Sequence, residues 1–201
     1  MAVTSTIEAL EQQIEGLKQQ LAEARRAAGP EVVGEYTFRD AEGRARKLTE
    51  LFGGKRDLIV VHNMGRSCPY CTLWADGFVG LTAHLSDRAA FVLSSYDPWE
   101  MMRDFAKSRG WNFPVVSVAG TTFAKDMGYE QGPGQPAPGE SALHLGEDGV
   151  VGRTGHAGFG PGDDFCALWP MLDLLKDGPG AWRPKYNYSA KPCCGGGCCG
   201  G

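Results

Sequence analysis

The first 28 residues carry apolar side chains that step along the chain by three and four. Ile7, Leu10, Ile14, Leu17, Leu21, Ala24 and Ala28 fall on the a and d positions of a heptad, the spacing of an amphipathic helix with one packing seam. Ser5 and Glu8 offer a reciprocal cap at its start, and Gly29-Pro30 stops it. Such a helix either lies on its own domain or pairs with a second copy of the chain through residues 5–28. Glu11, Gln13, Lys18, Gln20 and Arg25 flank the seam.

Beyond Pro30 the period changes. Tyr36 and Phe38 alternate as in a short strand, a turn follows at Asp40–Gly43, and Leu48, Leu51 and Phe52 make one helical turn. Leu58–Val61 is a continuous apolar run, as in a strand buried on both faces. The pattern then predicts a helix over 69–86 and a strand over Ala90–Ser94. A second helix opens at Asp97-Pro98 and closes at Gly110. Phe113–Val118 reads as a strand, 121–127 as a helical turn and 128–140 as a Gly/Pro-rich loop. Ala142–Leu145 and Val150–Thr154 flank Gly146–Gly149, a hairpin signal. Phe165, Leu168, Leu172 and Leu175 predict a closing helix over Asp163–Lys176. The order β-α-β-α-β, hairpin, helix is that of an α/β domain with a central sheet flanked by helices.

A chain of 201 residues suits one such domain with extensions. The expected division is a helix over 1–29, a domain over 30–188 and a flexible Cys-rich tail over 189–201. Twenty Lys+Arg against 24 Asp+Glu leave a net charge of −4, which gives no electrostatic footprint for nucleic acid. No apolar run approaches a membrane span, and the N-terminus lacks the basic patch and apolar core of a signal peptide. The expected location is the cytoplasm. There, seven cysteines point to catalysis or metal binding rather than structural disulfides.

The chemistry concentrates at Ser67-Cys68-Pro69-Tyr70-Cys71, which follows the buried strand and opens a helix. Unpaired N–H groups and the positive end of the helix dipole favour a thiolate on the first cysteine. The spacing lets the second close a disulfide with it. Cys68 is thus the candidate nucleophile and Cys71 the resolving thiol, and dithiol chemistry of this kind requires no cofactor. Half of a zinc site and two buried thiols are the other readings, but no second C-x-x-C or C-x-x-H lies at finger spacing.

The strand–C-x-x-C–helix, the crossover and the C-terminal hairpin resemble the thioredoxin fold, and CPYC is a tetrapeptide common in glutaredoxins. More specifically, LTELFGGKRDLIVVHNM, CPYCTLWADGF, RGWNFPVVS and LWPMLDLL resemble, in this order, the bacterial thioredoxin-like family known as domain of unknown function 899. The likeness runs over roughly residues 20–188 and implies a mixed sheet flanked by helices. One departure stands out. Where thioredoxins place a cis-proline facing the dithiol, this chain reads Pro138-Gly139-Glu140-Ser141.

The implied topology sets Ser141 and His156 beside Cys68, with His156 as a general base, thiolate partner or metal ligand. Pro69, Tyr70, Trp74, Glu140 and Ser141 would then face a substrate, a protein or small-molecule thiol or disulfide. His62 and Met64 end the strand that feeds the site, and with Cys68, Cys71 and His156 they make a soft donor set suited to Cu(I). Asp76 reads as a cap or ion-pair residue, or as a proton relay to Cys71. His144 and His84 read as structural and surface residues, and Cys166 as a buried thiol. The chain ends in Cys193-Cys194, three glycines and Cys198-Cys199, a segment too glycine-rich to pack. Four thiols there can wrap a thiophilic metal or pass electrons to the C-x-x-C. The tail resembles the terminal cysteine pairs of large thioredoxin reductases and mercuric reductases.

Three readings stand at this point. The chain is a thiol–disulfide oxidoreductase with the tail as relay, a protein that handles Cu(I) or another thiophilic metal, or a dimeric adaptor whose thiols are incidental.

Overall fold

The computed structural model describes residues 2–188. Cys193, Cys194, Cys198 and Cys199 lie outside the described residues. Helix α1 spans Ala2–Ala27, so it begins before Ser5, and the expected cap is instead part of its first turns. It touches its own domain through few polar contacts. Lys18 pairs with Asp164 at 2.8 Å, and Arg25 donates to the His156 carbonyl at 3.5 Å. The heptad stripe is not used: Ile7, Leu10, Ile14, Leu17 and Leu21 are each at least 50% exposed.

The domain is built on an eight-stranded mixed sheet. Its elements in chain order are β1 (Glu31–Val33), β2 (Thr37–Asp40), β3 (Ala45–Lys47), β4 (Asp57–Asn63), α2 (Pro69–Phe78), α3 (Thr82–Arg88), β5 (Ala90–Ser95), α4 (Trp99–Arg109), β6 (Val115–Ser117) and α5 (Phe123–Asp126). A small hairpin, β7 (Glu130–Gly132) and β8 (Gln135–Pro136), precedes β9 (Gly139–Leu145), β10 (Val151–Gly158) and α6 (Leu168–Asp173). The sheet order is β1-β10-β9-β4-β5-β6-β2-β3. β4, β5 and β6 run parallel, and β9 lies antiparallel against β4. The long apolar run is thus the centre of the sheet, with a strand on either side.

Alternation along β4 and β5 feeds two cores. Leu58, Val60 and Val92 join Phe38, Phe52, Phe123 and Leu143. Val61, Phe91 and Leu93 join Trp74, Phe78, Met102, Trp111 and Trp169. The second core lies under α2, which therefore covers that face.

Several boundaries differ from the sequence pattern. The helix expected over 69–86 breaks after Phe78 into α2 and α3. Gly77 and Gly80 weaken it there, and the Phe78 carbonyl accepts the Leu81 amide at 2.9 Å and the Thr82 hydroxyl at 3.0 Å. The closing helix is shorter than expected. Asp163 Oδ1 accepts the amides of Phe165 and Cys166 at 2.8 and 3.1 Å, which holds that stretch in a turn. Pro170 then fits only the first turn of a helix. β1 adds to the outer edge of β10, where Arg153 donates to Glu31 at 3.0 Å. The loop over 128–140 contains the β7–β8 pair. No described helix is long and apolar enough to cross a membrane.

Candidate active site

The loop from β4 to α2 is shaped by two side chains. Asn63 Oδ1 accepts the Gly65 amide at 2.7 Å, and its Nδ2 donates to the Cys71 carbonyl at 3.4 Å. Asp97 Oδ2 accepts the Arg66 amide at 2.5 Å. Gly65 has φ of 111°, and a Cβ there would come within 3.0 Å of Asp97. A side chain at this position would meet both strain and crowding.

This loop delivers Cys68 as the N-cap of α2, in extended conformation, with Pro69 in the first turn. Cys68 Sγ accepts the Cys71 backbone N–H at 3.2 Å. Its carbonyl is held by the Thr72 amide at 3.1 Å and the Thr72 hydroxyl at 3.0 Å. The two sulfurs differ sharply in environment. Cys68 is half-buried, whereas Cys71 is only 3% exposed.

Their acidities diverge as well, chiefly through the hydrogen bond between the two sulfurs. The Cys71 thiol hydrogen bond, followed by the backbone N–H groups of Cys71 and Tyr70, pulls Cys68 down to about 6 against the opposing effect of burial. Cys71 is driven up, first by that same hydrogen bond, then by burial and the adjacent Cys68 charge. The Met64 backbone N–H opposes this only in part. The surroundings favour the thiolate on Cys68 and the proton on Cys71, an arrangement suited to nucleophilic attack by Cys68.

An aromatic cluster walls the helix start. Tyr70 lies 6.2 Å from Trp74 and 6.3 Å from Trp169, and Trp74 lies 5.4 Å from Phe159. The buried Nε1 atoms of Trp74 and Trp169 have no partner. Asp76, one turn beyond Cys71, accepts from Arg109 Nε at 3.1 Å and from Trp111 Nε1 at 2.8 Å. It is an ion-pair residue tying α2 to α4, as the sequence had suggested.

Other expected site residues sit elsewhere. His62 points into the first core, on the face of β4 away from α2. Its Nε2 lies 3.0 Å from Ser141 Oγ, and its ring stacks on Tyr129 at 3.8 Å. Burial lowers its pKa to about 3, so it is neutral. Ser141 is fully buried and faces His62, not a substrate surface. His156 lies within β10, not past its end. It pairs in register with Ser141 and is exposed. Glu140 lines a cleft of about 240 Å³ beneath the end of α1, with Arg25 and Phe165. Burial pushes its pKa up to about 7, opposed by Arg25 and reinforced by Asp163.

Among the described residues, no three His, Cys, Asp or Glu side chains form a group that could hold a metal. The five-residue donor set of His62, Met64, Cys68, Cys71 and His156 therefore does not assemble. His62 is turned to the other face, and Met64 meets Cys71 through its backbone N–H. Asn63, Asp97 and Arg109 are the structural partners the sequence reading missed. Asp97 was legible only as a helix start, and nothing in the sequence tied it to the loop ahead of Cys68.

The model of a family described as "Bacterial protein of unknown function (DUF899)" matches residues 4–184, so the match takes in the N-terminal helix as well as the domain. Among solved structures, a peroxidoxin, BcpB, from Mycobacterium tuberculosis is 25% identical with a TM-score of 0.51. The match covers 61% of this chain and 80% of that one. A peroxiredoxin-like protein from Aquifex aeolicus is 13% identical with a TM-score of 0.50, over 64% of this chain and 74% of that one. These likenesses establish a thioredoxin-like fold. No curated protein matches the chain.

Proposed function

We propose that this chain, which belongs to the bacterial DUF899 family, is a thiol–disulfide oxidoreductase with Cys68 as nucleophile and Cys71 as resolving thiol. The observation that carries the reading is the hydrogen bond of 3.2 Å from the Cys71 amide to a half-buried Cys68 sulfur at a helix N-cap. The likeness to a peroxidoxin supports a redox role.

In this mechanism Cys68 thiolate attacks one sulfur of a substrate disulfide. The substrate S–S bond breaks, one half leaves as thiolate, and the other half stays on Cys68 as a mixed disulfide. Cys68 has then lost its charge, so the main cause of the high Cys71 pKa disappears. Cys71 loses its proton to the departed thiolate and attacks Cys68. The Cys68–Cys71 disulfide forms, and the second substrate half leaves reduced. Two electrons pass from the dithiol to the substrate. Pro69 and Tyr70 follow the reacting sulfur directly in the chain, Trp74 stands behind Tyr70, and the substrate is a protein or small-molecule disulfide in the cytoplasm.

A single turnover of oxidised glutathione by the pre-reduced protein, followed by thiol release, tests this. Cys68→Ser should abolish it, and Cys71→Ser should stop it at the mixed disulfide. Unchanged turnover in both variants would refute the assignment.

A second reading uses the same two sulfurs as ligands for Cu(I), with the tail cysteines completing or accepting the metal. Two soft donors side by side support it. Elemental analysis of protein purified without chelator distinguishes it. The exposed stripe on α1 supports self-association through residues 5–28 in either case.

A further inference from the structure

A cleft of about 650 Å³ opens between the β2–β3 hairpin and the C-terminal half of α4, and neither cysteine of the dithiol lines it. Its origin is local. β2 pairs with β6 only at Arg39–Ser117 and Asp40–Val116. Beyond Asp40 the chain turns. Asp40 Oδ1 accepts the amides of Glu42 and Arg44 at 3.0 and 2.9 Å, and Gly43 has φ of 77°, a conformation that suits glycine. A Cβ on Gly43 would come within 2.8 Å of the Trp99 ring, so the turn seats against the start of α4. The hairpin thus leaves the sheet at Asp40, and the chain ahead of Val116 has no strand on that side.

The gap has an aromatic floor. Trp111 stacks on Phe113 with centroids 5.7 Å apart, and Phe113 meets Phe91 edge-on at 5.3 Å. All three side chains are buried, and the Trp111 indole N–H is fixed on Asp76 at 2.8 Å. A wall already held in place spares a ligand part of the ordering cost of binding. The volume falls within the range of about 300–1,000 Å³ typical of small-molecule sites.

The rim is charged, and most of its charges are spent. Arg44 pairs with Asp40 at 2.9 Å and with Glu42 at 2.7 Å. Arg103 pairs with Asp104 at 2.8 Å and lies over the Trp99 ring at 5.3 Å. Glu50 accepts the Lys47 amide at 2.7 Å and leaves Arg46 at a looser 3.8 Å. Lys107, exposed on α4 one turn beyond Arg103, forms no ion pair among the described residues. The unspent charge at this cleft is therefore positive.

We propose that the cleft binds a small aromatic monoanion, with its ring system against Trp111 and Phe113 and its anionic group at Lys107, where Arg46 adds to the field. The aromatic floor selects a flat apolar body. Lys107 selects a negative charge, and Glu42 and Glu50 on the same rim oppose a second one. This site is separate from the dithiol, and it stands or falls independently of the oxidoreductase reading.

Fluorescence titration of the full chain with anilinonaphthalene sulfonate tests this, with phenylnaphthylamine as the same ring system without the charge. The sulfonate should bind saturably at one site per chain and more tightly than the neutral dye. Lys107→Glu combined with Arg46→Glu should weaken the sulfonate by about tenfold or more and leave the affinity of the neutral dye and the thermal midpoint unchanged. Ala41→Trp, which places an indole in the cleft, should weaken both dyes. Equal affinity of the two dyes for the parent, or sulfonate binding unchanged in the double variant, would overturn the proposal. Leu10→Ser combined with Leu17→Ser should leave sulfonate binding intact. Its loss there would assign the dye to the exposed stripe of α1 and overturn the proposal as well.

Discussion

Arg109 grips Asp76 through two of its guanidinium nitrogens and holds the Tyr186 carbonyl with the third. One side chain thereby joins the helix that presents both cysteines to the segment that leads towards the terminal ones. Both partners are only partly exposed, so the pair is less screened than a surface ion pair.

Replacing Asp76 by Ala leaves two of the Arg109 nitrogens and the Trp111 Nε1 without their acceptor. The expected loss of stability is about 1–3 kcal/mol, read as a lower midpoint in thermal unfolding. An unchanged midpoint would show that water replaces the carboxylate without cost.

The two thiols should separate in an alkylation experiment. Cys68 reactivity should rise as pH passes through about 6 and level off above it, because only the thiolate reacts. Cys71, protonated and buried, should label far more slowly at neutral pH. Equal labelling, or faster labelling of Cys71, would reverse their roles.

Glu140 gives a pH signature in stability. Its folded pKa of about 7 lies above the ordinary 4.5. The contribution is therefore fully present below pH 4.5 and is lost as pH rises towards 7, where the unfolded chain is ionised first. Glu140→Gln should leave stability near pH 4 almost unchanged and raise it by about 2 kcal/mol at pH 8, after allowance for residual exposure. Denaturant titrations of both proteins at the two pH values decide it, and a variant no more stable at pH 8 would contradict the buried carboxyl.

The seam of α1 predicts association of two copies. Lys18 and Arg25, both on the e side, are engaged with the chain's own domain. The g positions carry the neutral Gln13 and Gln20, so no like charges oppose a second seam. Leu10→Ser combined with Leu17→Ser should turn a dimer into a monomer in sedimentation. A parent protein that is monomeric at micromolar concentration would remove self-association from the account.

By itself the sequence determined the β-α-β-α-β order at the centre of the domain, the buried central strand and the dithiol at the start of α2. Each of these rests on local pattern: the apolar run Leu58–Val61, the C-x-x-C, and glycines and prolines at element ends. Even the heptad helix was legible, because its period is a property of neighbouring residues. The tertiary structure decided which face each strand residue serves. In β4 the side chains alternate, so Leu58, Val60 and His62 enter one core while Val61 faces α2. Which core α2 covers depends on how layers pack, and that choice took His62 and Ser141 away from the sulfurs. Packing also joined Arg109 to Tyr186 across 77 positions of chain. A contact of that kind has no local spacing to betray it, since only the closed fold brings its partners together.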